Sequence, residues 1–139
     1  MSENVESSRA PEPVGAFPHA KRVGNLLFLS GIGPRKRGSK EIPGVTLDPA
    51  GNIVGYNIET QCRTVFENVR LVLEDAGASW NDIVDVTVFL TNMKKDFPAY
   101  NKFYAQYFSG MANQIRHARQ SRSARCRHRL LLSSKLSRR

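Results

Sequence analysis

Ser30 and Gly31 follow a short apolar run and are the first residues of the chain with a clear chemical use. The run, Leu26 to Leu29, lies between glycines, and it suits a strand buried on both faces better than a helix, which needs about ten residues or more. Glycine at the end of such a strand either supplies an unusual φ or lets a ligand approach bare backbone. In the second interpretation, which we favour, the Ser30 hydroxyl serves as a hydrogen-bond donor.

The positive charge of the chain is concentrated in its last 27 residues. The 139-residue chain has a formal net charge of +9, and residues 113–139 contain eight Arg and one Lys with no Asp or Glu. Residues 1–112 therefore contain twelve basic and twelve acidic residues and sum to zero. The sequence divides into a polar lead-in (1–12), which we expect to be mobile, a neutral domain (13–112) and an anomalous Arg-rich tail (113–139).

Composition and length indicate a single domain in a reducing compartment. Only two cysteines are present, Cys62 and Cys126, so a disulfide framework is not expected and a cytoplasmic location is the default. The sequence shows neither a signal-peptide pattern at its start nor an apolar run approaching the ~18 residues of a membrane span.

Two helices and several strands are predicted from the apolar pattern. A turn at 48–52 precedes a short strand at 53–55, and a helix begins near Asn57, a competent N-cap, and stops at Gly77. Ile83 to Leu90 alternates and predicts a long strand. The buried stripe of the first helix is predicted from apolar residues at three- and four-residue steps: Ile58, Cys62, Val65, Phe66, Val69, Val72, Leu73 and Ala76.

The second helix is predicted after a connecting loop at 91–95. Asp96 is expected to cap it, and Pro98 is tolerated in its first turn. Its aromatic stripe is typical of a core face: Tyr100, Phe103, Tyr104, Tyr107 and Phe108. The order strand, strand, helix, strand, helix predicts an α+β fold with both helices on one face of a sheet.

Several segments together resemble a known family. Phe17 precedes the strand that ends in Ser30-Gly31, the first helix closes with LEDAGA at 73–78, and DIVDVTVFLTNM and DFPAYNKFYAQYF follow. These segments, which span roughly residues 13–110, resemble the Rid (reactive intermediate deaminase, YjgF-like) proteins. The likeness is closer to the 2-aminomuconate deaminases, for which VGAFPHAKRVGNLLFLSGIGPR and VTVFLTNMKKDF are typical.

The resemblance implies a fold, an activity and a set of site residues. It implies a chorismate-mutase-like homotrimer with ligand clefts between subunits, which hydrolyses enamines and imines to a carbonyl compound and ammonia without a cofactor or a metal. Ser30 and Gly31 match the cleft-lining strand end, and Phe17 matches an aromatic residue over the ligand. The segment that includes Asn92 and Lys94 resembles the loop that reaches the cleft from the neighbouring subunit.

The expected substrate is an acid. The resemblance implies 2-aminomuconate, which has two carboxylates, and Arg35, Lys94 or Lys95 could anchor the distal one. The alternative interpretation of these cations is solvated surface charge. A broad imine deaminase and a sensor that binds a small acid without turnover are further alternatives.

The tail departs from the family pattern. In the family an Arg-Thr-Thr-Val-x-Val segment follows the second helix, then Leu-Pro and a late Glu; the Arg forks onto the substrate carboxylate and the Glu lies near the attacking water. This chain has none of these residues at 113–139. The catalytic residues are therefore left unassigned, and no tail Arg is given the missing role.

Back-translation of the tail indicates a slipped reading frame. When each codon's third base is read with the first two of the next, permissible codons for His117 through Ser123 give Arg-Thr-Thr-Val-Ala-Val. We infer a frameshift between about Phe108 and His117. We therefore expect the closing strands of the sheet to be missing, one edge to be unpaired, and this chain to fold poorly, to lack the trimer cleft and to be inactive.

Two other interpretations of the tail remain. A basic tail could bind nucleic acid through phosphates, and some proteins of the family have been described as ribonucleases, but the tail lacks interleaved aromatic residues. His117, Cys126 and His128 could be metal ligands, although their spacing matches no known site. Neither a metal nor nucleic acid is the expected partner.

Overall fold

A six-stranded sheet and two helices form the core of the computed structural model, which describes residues 2–39 and 41–109 together with the backbone of strands at 115–120 and 128–135. The elements, in chain order, are β1 (Ser2–Val5), β2 (Ala20–Val23), β3 (Leu26–Leu29), β4 (Val45–Leu47), β5 (Ile53–Tyr56), α1 (Ile58–Asp75), a 3₁₀ turn (Trp80–Asp82), β6 (Ile83–Leu90), α2 (Met93–Tyr107), β7 (Ile115–Gln120) and β8 (His128–Lys135). The predicted α+β class is confirmed.

The tail contributes two strands to the main sheet. The strand order is β1-β2-β3-β8-β6-β7, with β8 antiparallel to both neighbours and β7 parallel to β6. The expectation that the closing strands are missing is therefore wrong for the backbone. Strand pairing uses main-chain N–H and C=O groups, which every non-proline residue provides, so the loss of the family's side-chain motif does not prevent it.

The predicted lead-in contains strand β1, which the sequence analysis did not predict. Its four residues pair antiparallel with β2, from Ser2 opposite Val23 to Val5 opposite Ala20. Only Val5 is buried. Because three of the four side chains point to solvent, the segment has little apolar pattern, and its pairing depends on the backbone of β2.

Helix α1 confirms the predicted boundaries and buried stripe. The Asn57 side chain accepts a hydrogen bond from the Thr60 backbone N–H, and Gly77 follows the helix with φ +80°. A left-handed residue after the last turn is the conformation that glycine adopts at least cost. Cys62, predicted as a small core residue, is buried, and this burial raises the pKa of its thiol to about 12.

Strand β6 has the predicted bounds, but the alternation of buried residues is shifted by one position at its start. Val86, Val88 and Leu90 are fully buried, as the alternation predicted. At the beginning of the strand the register with β8 shifts between Ile83 and Asp85, so Ile83 rather than Val84 is buried. A bulge of this kind moves one residue to the opposite face.

Strand β3 is buried on one face rather than on both. Leu27 and Leu29 are buried in the core, whereas Leu26 and Phe28 are 41% and 46% exposed. The helices cover a single face of the sheet, and the other face of β3 is open to solvent within one chain. The apolar run therefore identifies the strand correctly and overestimates its burial.

An aromatic cluster fixes the helices against each other and against the 3₁₀ turn. The Phe66 ring on α1 lies 4.7 Å from Tyr107, 5.7 Å from Trp80 and 6.1 Å from Phe108, measured between centroids. Trp80 also donates its indole N–H to the Tyr107 carbonyl at 3.0 Å. Aromatic pairs in edge-to-face arrangements stabilise beyond the apolar area that they bury, so this cluster contributes to the stability of the core.

We expect Phe66→Ala to lower the free energy of unfolding by about 3–5 kcal/mol, because it removes a fully buried ring and leaves a cavity among the other rings. Urea unfolding followed by circular dichroism measures the change. Val14, which is 78% exposed, offers the control: Val14→Ala should change stability by less than about 0.5 kcal/mol. Equal effects of the two substitutions would contradict this account of the core.

Candidate functional site

The end of β3 is tied to the segment that contains Phe17. The Ser30 hydroxyl donates to the Pro18 carbonyl at 2.6 Å, and the Ser30 backbone N–H donates to the His19 carbonyl at 3.0 Å. The structure thus brings together the strand end and the residue next to Phe17. Because the Ser30 proton is already used within the chain, this hydroxyl is placed to accept a hydrogen bond from a ligand rather than to donate one.

The conformation of Gly31 bears on the two interpretations of the strand end. Among the described glycines, those with positive φ are Gly24, Gly38, Gly44, Gly51 and Gly77. Gly31 does not belong to this set, so an unusual φ does not explain it. Its role in the approach of a ligand stays a prediction.

Phe17 is positioned by a tight turn and by the absence of a side chain at residue 15. The Phe17 N–H donates to the Gly15 carbonyl at 2.9 Å, and the ring is 36% exposed. A Cβ built on Gly15 would lie 2.8 Å from the ring carbon Cε1. The ring therefore occupies space that only glycine leaves open.

A second group of predicted site residues lies at the start of α2. Asn92, rather than Asp96, is the N-cap, and its side chain accepts a hydrogen bond from the Lys95 backbone N–H at 3.1 Å. The helix begins earlier than predicted because Asn92 satisfies its free N–H groups. Pro98 consequently lies in the second turn, where it offers no N–H to the Lys94 carbonyl.

Asp96 is a buried anchor for the β4–β5 hairpin. It is 3% exposed, and its carboxylate accepts a hydrogen bond of 2.6 Å from the Tyr56 hydroxyl. Lys95 Nζ lies 4.9 Å from the centroid of the Tyr56 ring, a cation–π contact. Sequence reasoning missed the hydrogen bond between Tyr56 and Asp96, because forty residues separate them and the local sequence around each gives no sign of the other.

The three cations considered as carboxylate anchors differ in their surroundings. Arg35 donates to the Glu12 carbonyl at 2.7 Å, and Lys95 lies over Tyr56. Lys94 makes no ion pair or side-chain hydrogen bond within the described residues, and it lines an apolar depression of about 490 Å³ with Met93, Phe97 and Pro98. Of the three, Lys94 is the cation available to an anionic ligand.

The two groups of residues are not joined within one chain. Phe28 of β3 is level with Asp85 of β6, since both are opposite Ser133 of β8, whereas Leu90 is opposite His128. Ser30 thus stops about three residues, or roughly 10 Å, short of the end of β6 and lies two strands away from it. Asn92 and Lys94 lie beyond that end.

An ion-pair cluster anchors the N-terminal segment to the end of α1. Arg9 donates twice to Asp75 Oδ1, at 2.6 and 3.0 Å, and Ser7 Oγ donates to Asp75 Oδ2 at 2.6 Å. These bonds, from Arg9 first and then Ser7, hold the pKa of the Asp75 carboxyl below its ordinary value. The first part of the segment that precedes Phe17 is therefore held at residues 2–5 by β1 and at Ser7 and Arg9 by this cluster.

The interpretations of the tail as a metal or nucleic-acid binding segment concern residues whose side chains lie outside the described part of the chain. His117, Cys126 and His128 belong to the tail, and so do the arginines of the basic-tail interpretation. Where side chains are described, no group of three or more His, Cys, Asp or Glu could hold a metal ion. Within that same part of the chain, neither helix is long and apolar enough to cross a membrane.

The chain has a two-helix α+β fold in which a polar strand end lies beside an exposed aromatic ring. Comparison with known proteins shows which family has this fold and this sequence. Residues 7–126 match the family described as Endoribonuclease L-PSP. A RutC family protein of Pyrococcus horikoshii is 40% identical over 109 residues, covering 78% of this chain and 76% of that protein. The chain belongs to this family, the Rid (YjgF-like) family that its sequence resembles.

Other relatives share the fold or a related name. A 2-iminobutanoate/2-iminopropanoate deaminase of Dermatophagoides farinae is 32% identical over 105 residues, covering 75% of this chain and 72% of that protein. The crystal structure of Escherichia coli TdcF with bound serine superposes with a TM-score of 0.76 at 27% identity, covering 99% of each chain. The crystal structure of a Thermotoga maritima protein described as an endoribonuclease superposes with a TM-score of 0.79 at 28% identity, covering 99% of this chain and 100% of that chain.

We expect Gly15→Ala to displace the Phe17 ring by about 1 Å with little change in stability, because the new Cβ meets the far end of a side chain that can rotate. A crystal structure and a thermal melt measure the two effects. Gly55→Ala is the matched control, since a Cβ there meets nothing within 4 Å. An unmoved Phe17 ring in the Gly15 variant would show that the predicted steric contact is wrong.

Proposed function

We propose that this scaffold is a cofactor-independent deaminase that hydrolyses an enamine or imine acid, with 2-aminomuconate as the substrate. The observation that supports it most is the strand end itself, where Ser30 and Gly31 lie beside the exposed Phe17 ring in a chain of the Rid family. Deaminase relatives at about a third identity point to the same class of reaction.

The chemistry needs orientation and a polarised water rather than a cofactor. An enamine takes a proton at carbon and becomes an imine; water then adds across the C=N bond, and the resulting carbinolamine loses ammonia to leave a carbonyl group. Each step moves a proton between oxygen, nitrogen and carbon, which a positioned side chain or water can assist. In this proposal Ser30 accepts a hydrogen bond from the substrate, and Phe17 covers its apolar carbon chain.

The position of Lys94 is the reason that we propose a dicarboxylate as the substrate. A dicarboxylate needs a second cation, and Lys94 lies at the edge of an apolar depression with no described ion-pair partner. The depression suits the unsaturated carbon chain of 2-aminomuconate, and the ammonium group suits its distal carboxylate. A broad imine deaminase, the alternative, would bind monocarboxylates equally well.

Assembly completes the proposed site. Ser30 and Lys94 are separated by two strands within one chain, so a homotrimer that places the α2 start of one subunit at the β3 end of its neighbour is the arrangement we propose. The open face of β3, with Leu26 and Phe28 exposed, offers apolar surface for such contact. We place this activity in the cytoplasm.

In this proposal the altered tail makes this chain less active than a chain with the family's C-terminal residues. The chain lacks the Arg that forks onto the substrate carboxylate and the late Glu near the attacking water. A chain with the frame restored from residue 117, which reads Arg-Thr-Thr-Val-Ala-Val, should release ammonia from 2-aminomuconate at least about a hundredfold faster, since a bidentate charge-assisted pair is worth about 3 kcal/mol or more.

The experiment measures ammonia release by both chains from 2-aminomuconate and from 2-iminopropanoate. Faster turnover of the dicarboxylate by the restored chain supports the proposal. Equal turnover of both substrates supports the broad imine deaminase. No turnover by either chain would contradict the deaminase proposal and favour a protein that binds a small acid without turnover. Sequencing the genomic DNA across codons 105–120 tests the slipped frame directly.

In the restored chain we expect Lys94→Ala to raise the KM for 2-aminomuconate about tenfold, since a lost hydrogen bond to a charged group costs about 1.5 kcal/mol. Lys95→Ala and Arg35→Ala serve as controls and should change it less than twofold, because both side chains are engaged elsewhere. An unchanged KM in all three variants would exclude a cation anchor among them.

A further inference from the structure

His19 is a buried histidine whose two ring nitrogens are both bonded to backbone groups. The residue is 7% exposed and lies just before β2. Ser7 donates its backbone N–H to Nδ1 at 3.0 Å, and the Pro11 carbonyl lies 2.9 Å from Nε2. Buried polar groups with complete partners fix a side chain in one orientation.

Both ring nitrogens have their partners on the N-terminal segment. Nδ1 lies 3.0 Å from the Ser7 backbone nitrogen and 3.1 Å from Glu6 Oε2, and Nε2 lies 2.9 Å from the Pro11 carbonyl oxygen. The ring therefore joins three residues of that segment to the start of β2.

The same residue supports the candidate site through its own main chain. The His19 carbonyl accepts the Ser30 N–H at 3.0 Å, and the preceding carbonyl, that of Pro18, accepts the Ser30 hydroxyl at 2.6 Å. The ring is bonded on its other side to the segment that Arg9 and Ser7 attach to Asp75. His19 thus connects the anchored N-terminal segment to the strand end.

We propose that His19 is a positioning residue: its buried ring, bonded to Ser7 and Pro11, holds the Phe17–Ala20 segment so that Ser30 and Phe17 keep their places. The inference rests on the proposed function only for what the site does; the positioning itself concerns the geometry of the strand end. His19 touches no substrate in this proposal and acts through Ser30.

Hydrogen exchange of the Ser30 amide in the full chain tests the positioning. At pH 8, His19→Ala should raise the exchange rate at Ser30 about tenfold relative to wild type, while amides in the middle of α1, such as Val69, stay unchanged. His19→Asn is the conservative variant, since its Oδ1 can accept a hydrogen bond from the Ser7 N–H, and it should restore the protection of the Ser30 amide.

His19→Leu places an apolar side chain without hydrogen-bonding groups at this position, and it covers the case in which the alanine variant does not fold. It should raise the exchange rate of the Ser30 amide as the alanine variant does. Unchanged Ser30 exchange in a folded His19→Ala or His19→Leu variant would overturn the proposal, and so would fast Ser30 exchange in His19→Asn. Because these measurements need no turnover, failure of the deaminase assay leaves them interpretable and contradicts only the proposed function.

Discussion

The backbone hydrogen bonds along β8 join the two halves of the sheet. On one side lie β1, β2 and β3, on the other β6 and β7, and β8 pairs antiparallel with both β3 and β6. Without this strand the edges of β3 and β6 would each present unpaired N–H and C=O groups. The site depends on it, since the register along β8 sets how far Ser30 lies from the start of α2.

The elements predicted well are those whose own residues contain the signal. Helix α1 has an amphipathic stripe, a capping Asn57 and a terminal Gly77, and β6 alternates over most of its length. Each of these signals reflects burial of one face, which a local pattern records. A local pattern is enough where the partner surface is simply apolar.

The elements that the sequence missed depend on distant backbone. Strand β1 has a single buried side chain, and β8 pairs through main-chain groups whatever its side chains are. The exposed face of β3 illustrates the converse: four apolar residues indicate a strand, but they do not say how many faces a single chain covers. Pairing and layering are properties of the whole fold.

The candidate site shows the same division. Ser30 and Gly31 could be proposed because a strand end is visible in sequence, and Phe17 because the family resemblance implies an aromatic residue over the ligand. His19 and Asp96 could not, because their partners Ser7 and Tyr56 lie 12 and 40 residues away. The Asn92 side chain, chosen as a ligand contact, caps a helix, a role that the same residue type performs equally well.

The sheet and the proposed catalytic site require different features of the tail. The sheet needs an extended backbone between β3 and β6, which residues 128–135 supply. A carboxylate fork needs an arginine at one position, since a guanidinium binds a carboxylate with two parallel hydrogen bonds only in one geometry. The slipped frame that we propose keeps extended backbone at these positions and removes this arginine. In that proposal the tail changes the chemistry of the scaffold rather than its architecture.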